Sequence, residues 1–276
     1  MQHSENTSPD LITTAVQRVL DTGGIAALVT LIEGDTNVGA KLLLISSREV
    51  VGGLGDTSLD KAVAVSAVQF LESREEARSF RIGNSAAVAD SDKALVLMER
   101  IQPEPRIVIC GAGHVGASLA RLAILAGYRA ALIDDRPEFV KRELFPDPLI
   151  ELVPATSWSD ATIAAIGNGA GVSVAVVTRG HQEDEECLRA IMTTQPAYVG
   201  LIGSKRRTNI VLDRLREGGV SEEKLLQVRA PIGLDIGAVT PEEVALAIFA
   251  EIVATRRGGN GGSLSAWRRE GMRSAE

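Results

Sequence analysis

The chain has very little cysteine, no long apolar run and no surplus of positive charge, and each shortage removes a class of protein. Of 276 residues only two are cysteines, Cys110 in a β-type apolar run and Cys187 in a helical stretch. Two thiols so placed make neither a disulfide framework nor a metal-ligand spacing. Both are expected to be core thiols, and no metal site is expected. No stretch is apolar and uncharged over the roughly 20 residues that span a bilayer. The polar start, Met1 to Pro9, lacks the basic and apolar regions of a secretory signal. No membrane partner is expected, and the expected location is cytoplasmic. A formal net charge of −7, from 29 Lys and Arg against 36 Asp and Glu, argues against broad nucleic-acid binding, which needs cations facing phosphates. There is no internal repeat. What remains is a globular chain long enough for one large domain or two ordinary ones.

Two prolines in Gln102-Pro103-Glu104-Pro105 disfavour helix and central strand alike and mark a junction. The expected organisation is a smaller N-terminal α/β domain over 1–102, a Rossmann-like doubly wound parallel sheet over 103–257, and a flexible tail over 258–276 rich in Gly, Ser, Asn and Arg. Before the junction, Ser8-Pro9-Asp10 reads as a helix start, followed by apolar residues at helical spacing from Leu11 to Leu20. Ile25–Ile32 and Val38–Ser46 read as strands around Glu33–Asn37. Asp56 is placed to cap a helix carrying Leu59, Val63, Ala67 and Phe70, and Ala94–Ile101 reads as a closing strand. Beyond the junction, strands expected at Arg106–Cys110, Arg129–Asp134, Leu149–Val153, Val172–Thr178 and Ala197–Ile202 alternate with helices starting near His114, Trp158, Asp184 and Lys205. That alternation is the pattern of a parallel sheet with right-handed crossovers. Thr240-Pro241-Glu242-Glu243 is a capping box opening a last helix.

Arg106 to Asp134 holds the densest functional signal. A strand ends on Gly111-Ala112-Gly113-His114-Val115-Gly116, the chain passes directly into a helix, and a second strand ends on Asp134. In this Gly-x-Gly-x-x-Gly pattern the first glycine permits the turn, the second lets a phosphate approach, and the third packs the helix on its strand. The helix N-terminus is then an anion site, and Asp134 stands where a ribose hydroxyl would be held.

Ligands of open parallel sheets bind beyond the carboxyl ends of the strands, which directs attention to three more loops. Thr178-Arg179-Gly180-His181-Gln182-Glu183-Asp184-Glu185 offers His181 and Asp184 as acid/base candidates, with a solvated imidazole and a dipole-stabilising carboxylate as the simpler reading. Gly203-Ser204-Lys205-Arg206-Arg207 sets cations in a first helical turn, where they oppose the dipole unless an anion binds there. The simpler account is a solvated face. Ala230-Pro231-Ile232-Gly233-Leu234-Asp235-Ile236-Gly237 is a shaped, nearly uncharged backbone segment.

Together these loops resemble the XdhC/CoxI family of xanthine dehydrogenase accessory proteins. The matching stretches are Gly111–Gly116, Asp134-Asp135-Arg136-Pro137-Glu138-Phe139, Val177–Glu185, Tyr198–Arg206 and Ala230–Gly237. The resemblance implies a chaperone rather than an enzyme. Such a protein binds molybdenum cofactor (molybdopterin) and delivers it to a molybdenum hydroxylase client such as xanthine dehydrogenase, working as a homodimer. It also implies a ligand site formed by Gly111, Gly113, His114, Val115, Gly116, Asp134, Asp135, Arg136, Arg179, Gly180, His181, Gly203, Ser204, Lys205, Arg206, Gly233 and Asp235. The alternatives on the residues alone are an NAD(P)-dependent oxidoreductase using His181 and an NAD-binding redox regulator without turnover. The N-terminal part departs from the family pattern. Asp35-Thr36-Asn37-Val38 replaces a Ser/Thr-Pro-Arg segment before Gly39-Ala40, and the loop Gly52–Thr57 has no cysteine where many members carry one.

Overall fold

The computed structural model describes residues 9–73, 75–82 and 94–265. The chain divides into two compact units, Met1–Pro103 and Glu104–Glu276. Among the described residues no helix is long and apolar enough to cross a membrane.

The first unit is built on β1 (Ala26–Glu33), β2 (Lys41–Ile45), β3 (Val50–Gly52), β4 (Ala77–Ile82) and β5 (Ala94–Ile101), an antiparallel sheet in the order β3-β2-β1-β5-β4. Successive side chains on a strand point to opposite faces, and here each face has its own helix. Helix α1 (Pro9–Asp21) sets Ile12, Ala15 and Val19 against Ala26, Leu43 and Ile45. Helix α2 (Thr57–Glu72) sets Leu59, Val63, Ala67 and Phe70 against Val29, Leu42, Leu44 and Met98. Covering on both sides is why Leu42-Leu43-Leu44 runs apolar without alternation. Asp56 caps α2 as expected, its Oδ1 accepting from the Ser58 and Leu59 amides at 2.7 and 2.8 Å. The second strand begins at Lys41 rather than Val38, because Asn37 (φ 60) and Gly39 (φ 92) are turn residues. Strands β3 and β4 were not expected. Both are edge strands, and β4 (Ala-Arg-Ser-Phe-Arg-Ile) is mostly exposed, so neither shows a buried period. The Ser8 position of the expected first cap lies outside the described residues, as do residues 266–276 of the expected tail.

The second unit contains β6 (Arg106–Cys110), α3 (His114–Leu125), β7 (Arg129–Asp134), β8 (Ile150–Pro154), α4 (Trp158–Ile166), β9 (Val172–Val176), α5 (His181–Ile191), β10 (Tyr198–Leu201), α6 (Lys205–Glu217), α7 (Glu222–Leu226), β11 (Val228–Arg229) and α8 (Pro241–Arg257). The six strands form one parallel sheet in the order β11-β10-β9-β6-β7-β8. Counted from β6, that is the 3-2-1-4-5-6 order of the doubly wound dinucleotide-binding fold, whose direction reverses between β6 and β9. One face carries α4, α5 and α6 over Val108, Cys110, Val174 and Val176. The other carries α3 and α8 over Ile107, Ile109, Leu132 and Ala175. With both faces buried, each central strand reads as a continuous Val/Ile/Ala run. Cys110 and Cys187 are both fully buried, as expected of core thiols. The neighbouring Cys110 and burial push the Cys187 thiol up, and Thr162 Oγ1 lies between the two sulfurs.

Beyond strand ends that move by one or two residues, this unit differs from expectation at one helix start and in two short elements. Helix α5 starts at His181, three residues before Asp184, with Gly180 as its N-cap. Strand β11 and helix α7 were not expected, being too short to show a period. The Thr240 capping box closes as expected: Thr240 Oγ1 accepts from the Glu243 amide, and Glu243 Oε2 accepts from the Thr240 amide. Replacing Thr240 by Ala should lower the unfolding free energy by about 1 kcal/mol in urea titration. An unchanged midpoint would show that packing, not capping, defines the start of α8.

Candidate functional site

The carboxyl ends of β6 and β9 are neighbours at the reversal point, where ligands of this fold bind, and the glycine turn follows directly on β6. Gly111 has φ +114, and a Cβ there would press on the Val177 carbonyl, so only glycine suits the position. A Cβ on Gly116 would overlap the Gly111 carbonyl oxygen, whereas one on Gly113 would meet nothing within 4 Å. Gly111 is thus required by the turn and Gly116 by the packing of the helix on its strand, while Gly113 borders open space. Gly113 is the N-cap of α3 and supplies no side-chain cap, and no acid occupies the first turn. Among the described residues the amides of 113–116 donate to no protein acceptor. Such a helix start favours an anion. His114 is exposed and Val115 half-buried beside it.

Asp134 lies at the end of β7, where it was expected, but its carboxylate is only 1% exposed and is engaged within the chain. Oδ2 accepts from the Ala112 amide at 2.7 Å and from Arg136 Nη2 at 3.0 Å. Oδ1 accepts from Arg136 Nε at 2.8 Å and from the Arg136 amide at 3.0 Å. Burial raises the Asp134 pKa, but these hydrogen bonds outweigh it and hold the carboxyl below its ordinary value. Asp135, the next residue, takes Arg179 Nη2 on Oδ2 at 2.7 Å. Its Oδ1 is buried without a hydrogen-bond partner, 3.8 Å from Arg136 Nε. The β7 and β9 loops are thereby joined by an ion pair.

Asp184 lies in the first turn of α5 and is fully buried. Thr178 Oγ1 donates to it at 2.6 Å, and Arg207 donates through Nη2 at 2.5 Å and Nε at 3.2 Å. Burial raises its pKa above the ordinary carboxylate value, opposed by Thr178 and Arg207. This carboxylate, on α5, clips the first turn of α6 to the β9–α5 loop. Arg207 is therefore the arginine of the Lys205-Arg206-Arg207 run that turns inward, while Lys205 and Arg206 stay exposed. Sequence reasoning misses Arg207 as a site residue, since three adjacent cations do not reveal which one finds a buried acid. Ser204 caps α6 through the Arg207 amide, after Gly203 at φ +144. His181 is exposed at the first position of α5, with no orienting partner among the described residues.

The 230–237 loop is tied to α8 and β10. Ile232 donates to Leu201 O at 2.9 Å and Leu234 to Ala247 O at 3.2 Å. Gly233 donates to Glu251 Oε2 at 2.9 Å, and Tyr198 OH bonds the same oxygen. Gly233 (φ +102) has α8 backbone 3.3 Å from where its Cβ would stand. Its glycine is thus explained by close helix approach, and its amide is already used. Asp235 is exposed. Two concavities of about 400 and 440 Å³ elsewhere are lined by residues at the strand starts, such as Gln195 and Val199 or Arg106 and Val172. Neither contains any expected ligand residue.

Two outcomes follow for stability. Gly116→Ala should cost about 1–3 kcal/mol from overpacking, while Gly113→Ala should stay within about 0.5 kcal/mol. Equal effects in urea unfolding would contradict the division of roles among the glycines. Asp134 has a depressed folded pKa, so its stabilisation is present above the ordinary carboxylate pKa of about 3.9 and is lost as pH falls through the lower folded value. Asp134→Asn should therefore cost about 1–3 kcal/mol at pH 7, and the gap to wild type should close below about pH 4. A gap that is constant with pH would refute that linkage.

A model of the XdhC Rossmann domain matches residues 107–252, which includes the glycine turn, both buried acids and the basic run. The chain is 32% identical over 228 residues to the uncharacterized protein YqeB of Escherichia coli K12, covering 81% of this chain and 41% of that one. It is 34% identical over 164 residues to a probable xanthine dehydrogenase subunit of Bacillus subtilis 168, covering 59% and 46%. It is 27% identical over 157 residues to the molybdenum cofactor insertion chaperone PaoD of Escherichia coli K12, covering 56% and 41%. The chain thus spans less than half the length of these curated relatives. A crystal structure described as a xanthine dehydrogenase from Bacillus halodurans superposes with a TM-score of 0.50 over 92% of this chain and 98% of that one, at 17% identity, a likeness of fold alone. With its Rossmann unit matched over more than half of the chain, this protein belongs to the XdhC/CoxI family.

Proposed function

We propose that this chain is an accessory protein that holds molybdenum cofactor by its phosphate end in the Gly111–Gly116 turn and passes it to a molybdenum hydroxylase of the xanthine dehydrogenase type. The observation that carries the reading is the open space at Gly113, in front of backbone amides that have no acceptor among the described residues. A terminal phosphate suits such a helix start. The kinship with PaoD and with the probable xanthine dehydrogenase subunit supports the choice of cofactor and client.

The metal end of the cofactor finds no thiolate here. Cys110 and Cys187 are in the core, and the Gly52–Thr57 loop has no cysteine. Gripping the phosphate and leaving the metal-bearing end free is what a donor to another protein needs. The oxidoreductase alternative gains no acid/base pair, because His181 has no orienting partner among the described residues and Asp184 is committed to Arg207. A general base needs a partner that orients it. The homodimer and the cytoplasmic setting belong to the same proposal. Light scattering, and retention of a molybdenum hydroxylase on the immobilised protein, address the partners.

Equilibrium titration of the purified protein with molybdenum cofactor and with NAD(H), side by side, tests the reading. Saturable binding of the cofactor and weak or no binding of NAD(H) are expected. Tight NAD(H) binding without cofactor affinity would sink it. Gly113→Val should weaken cofactor binding by about 100-fold, or some 3 kcal/mol, with an unchanged melting temperature. Lys205→Ala should weaken it by about 1–3 kcal/mol and flatten its salt dependence. Normal affinity in the Lys205→Ala and Arg206→Ala variants would leave that run a solvated face.

A further inference from the structure

In dinucleotide-binding folds the acid that ends the second strand recognises a ribose by accepting hydrogen bonds from its hydroxyls. An ionised carboxylate offers about four lone-pair sites, so the capacity of Asp134 for this task can be counted. The Ala112 amide, the Arg136 amide, Arg136 Nε and Arg136 Nη2 all donate to it, at 2.7 to 3.0 Å. Four donors meet about four sites. Three of the four belong to Arg136, and two of these form the planar fork that suits a carboxylate. The guanidinium is held in place by more than Asp134. Its Cζ lies 3.8 Å from the centroid of the Phe139 ring, a cation–π distance, and Pro137 opens a short 3-10 turn directly after it. Its side chain is 30% exposed against 1% for Asp134. The group that a ligand meets at the end of β7 is thus the guanidinium. Its Nη1 makes no hydrogen bond among the described residues, and Arg179 stands beside it on Asp135.

We propose that Arg136 sets the ligand specificity of this site. It closes the diol position on Asp134 and presents a cationic edge in its place, so that the turn selects a phosphate-bearing ligand whose binding gains nothing from a ribose diol. This deepens the reading above and rests on the glycine turn being a phosphate seat. It also reverses what position alone implies. An acid at 134 reads as an NAD-selecting residue, but the arginine two positions later folds back over it. A diol could reach Asp134 only by displacing a bidentate, ring-stacked arginine. Arg136 acts here as a positioning and specificity residue and not in any chemical step.

The test compares ADP with 2′-deoxy-ADP, which differ at the diol alone, and uses inorganic pyrophosphate to probe the seat itself. Wild type should bind ADP and 2′-deoxy-ADP within about twofold of each other, since the diol finds no free acceptor. Arg136→Ala should open Asp134 and prefer ADP by about tenfold, the worth of roughly one charge-assisted hydrogen bond, while its affinity for pyrophosphate falls. Should Arg136→Ala fail to fold, Arg136→Met, which keeps an apolar stem beside Phe139 but donates nothing to Asp134, is read in the same way. A wild type that prefers ADP by tenfold would overturn the proposal, as would a variant with the wild-type ratio or no ADP binding at all. Pyrophosphate separates this failure from the failure of the function. Retained wild-type binding of pyrophosphate beside those results removes only the role of Arg136, whereas its absence removes the phosphate seat.

Discussion

The 2.7 Å hydrogen bond from the Ala112 amide to the buried Asp134 carboxylate joins the two strands on which the candidate site depends. It fixes the middle of the glycine turn to the end of β7, and the amides after it keep no acceptor among the described residues. Burying a carboxylate is costly unless its lone pairs are met, and here the turn itself and Arg136 meet them. Asp184 repeats the device after β9. It is buried on α5, bonded by Thr178 from the loop before that helix and by Arg207 from the first turn of α6. Asp135 and Arg179 tie the β7 loop to the β9 loop. Through these three acids the loops after β6, β7, β9 and β10 are joined. Buried ion pairs are weak evidence of net stability, but they fix where each loop stands, and a phosphate seat requires that.

Much of this was legible in the sequence, for identifiable reasons. The parallel sheet could be read because its strands are buried on both faces and run apolar from end to end, as in Ile107-Val108-Ile109. The glycine turn could be read because its first and third glycines answer steric demands, a positive φ at Gly111 and close helix approach at Gly116. The caps at Asp56 and Thr240 are local chemistry, and local chemistry shows in a sequence. Edge strands such as β4 do not show, because a strand paired on one side and wet on its faces has no buried period. The roles of the charged residues did not show either. Which cation of Lys205-Arg206-Arg207 turns inward depends on where Asp184 lies in three dimensions. Whether Asp134 is open or occupied depends on an arginine that folds back two residues. Both are pairings that only the folded chain reveals.

The N-terminal unit stands apart from this account. Its antiparallel sheet carries a helix on each face, and the family match at 107–252 lies wholly in the second unit. Without a cysteine in its glycine-rich loop, it offers no thiolate to a metal. The functional reading therefore rests on the backbone of one turn, the helix that starts from it and the charged loops around it.

The most direct measurement of that reading is the response of the Gly113, His114, Val115 and Gly116 amides, followed by nuclear magnetic resonance while molybdenum cofactor is titrated into the full chain. A phosphate seated on the start of α3 should shift these amides and slow their exchange with solvent, with smaller changes at Arg136 and Lys205. Saturable binding of the cofactor that leaves the four amides unmoved would place the ligand elsewhere and contradict the account.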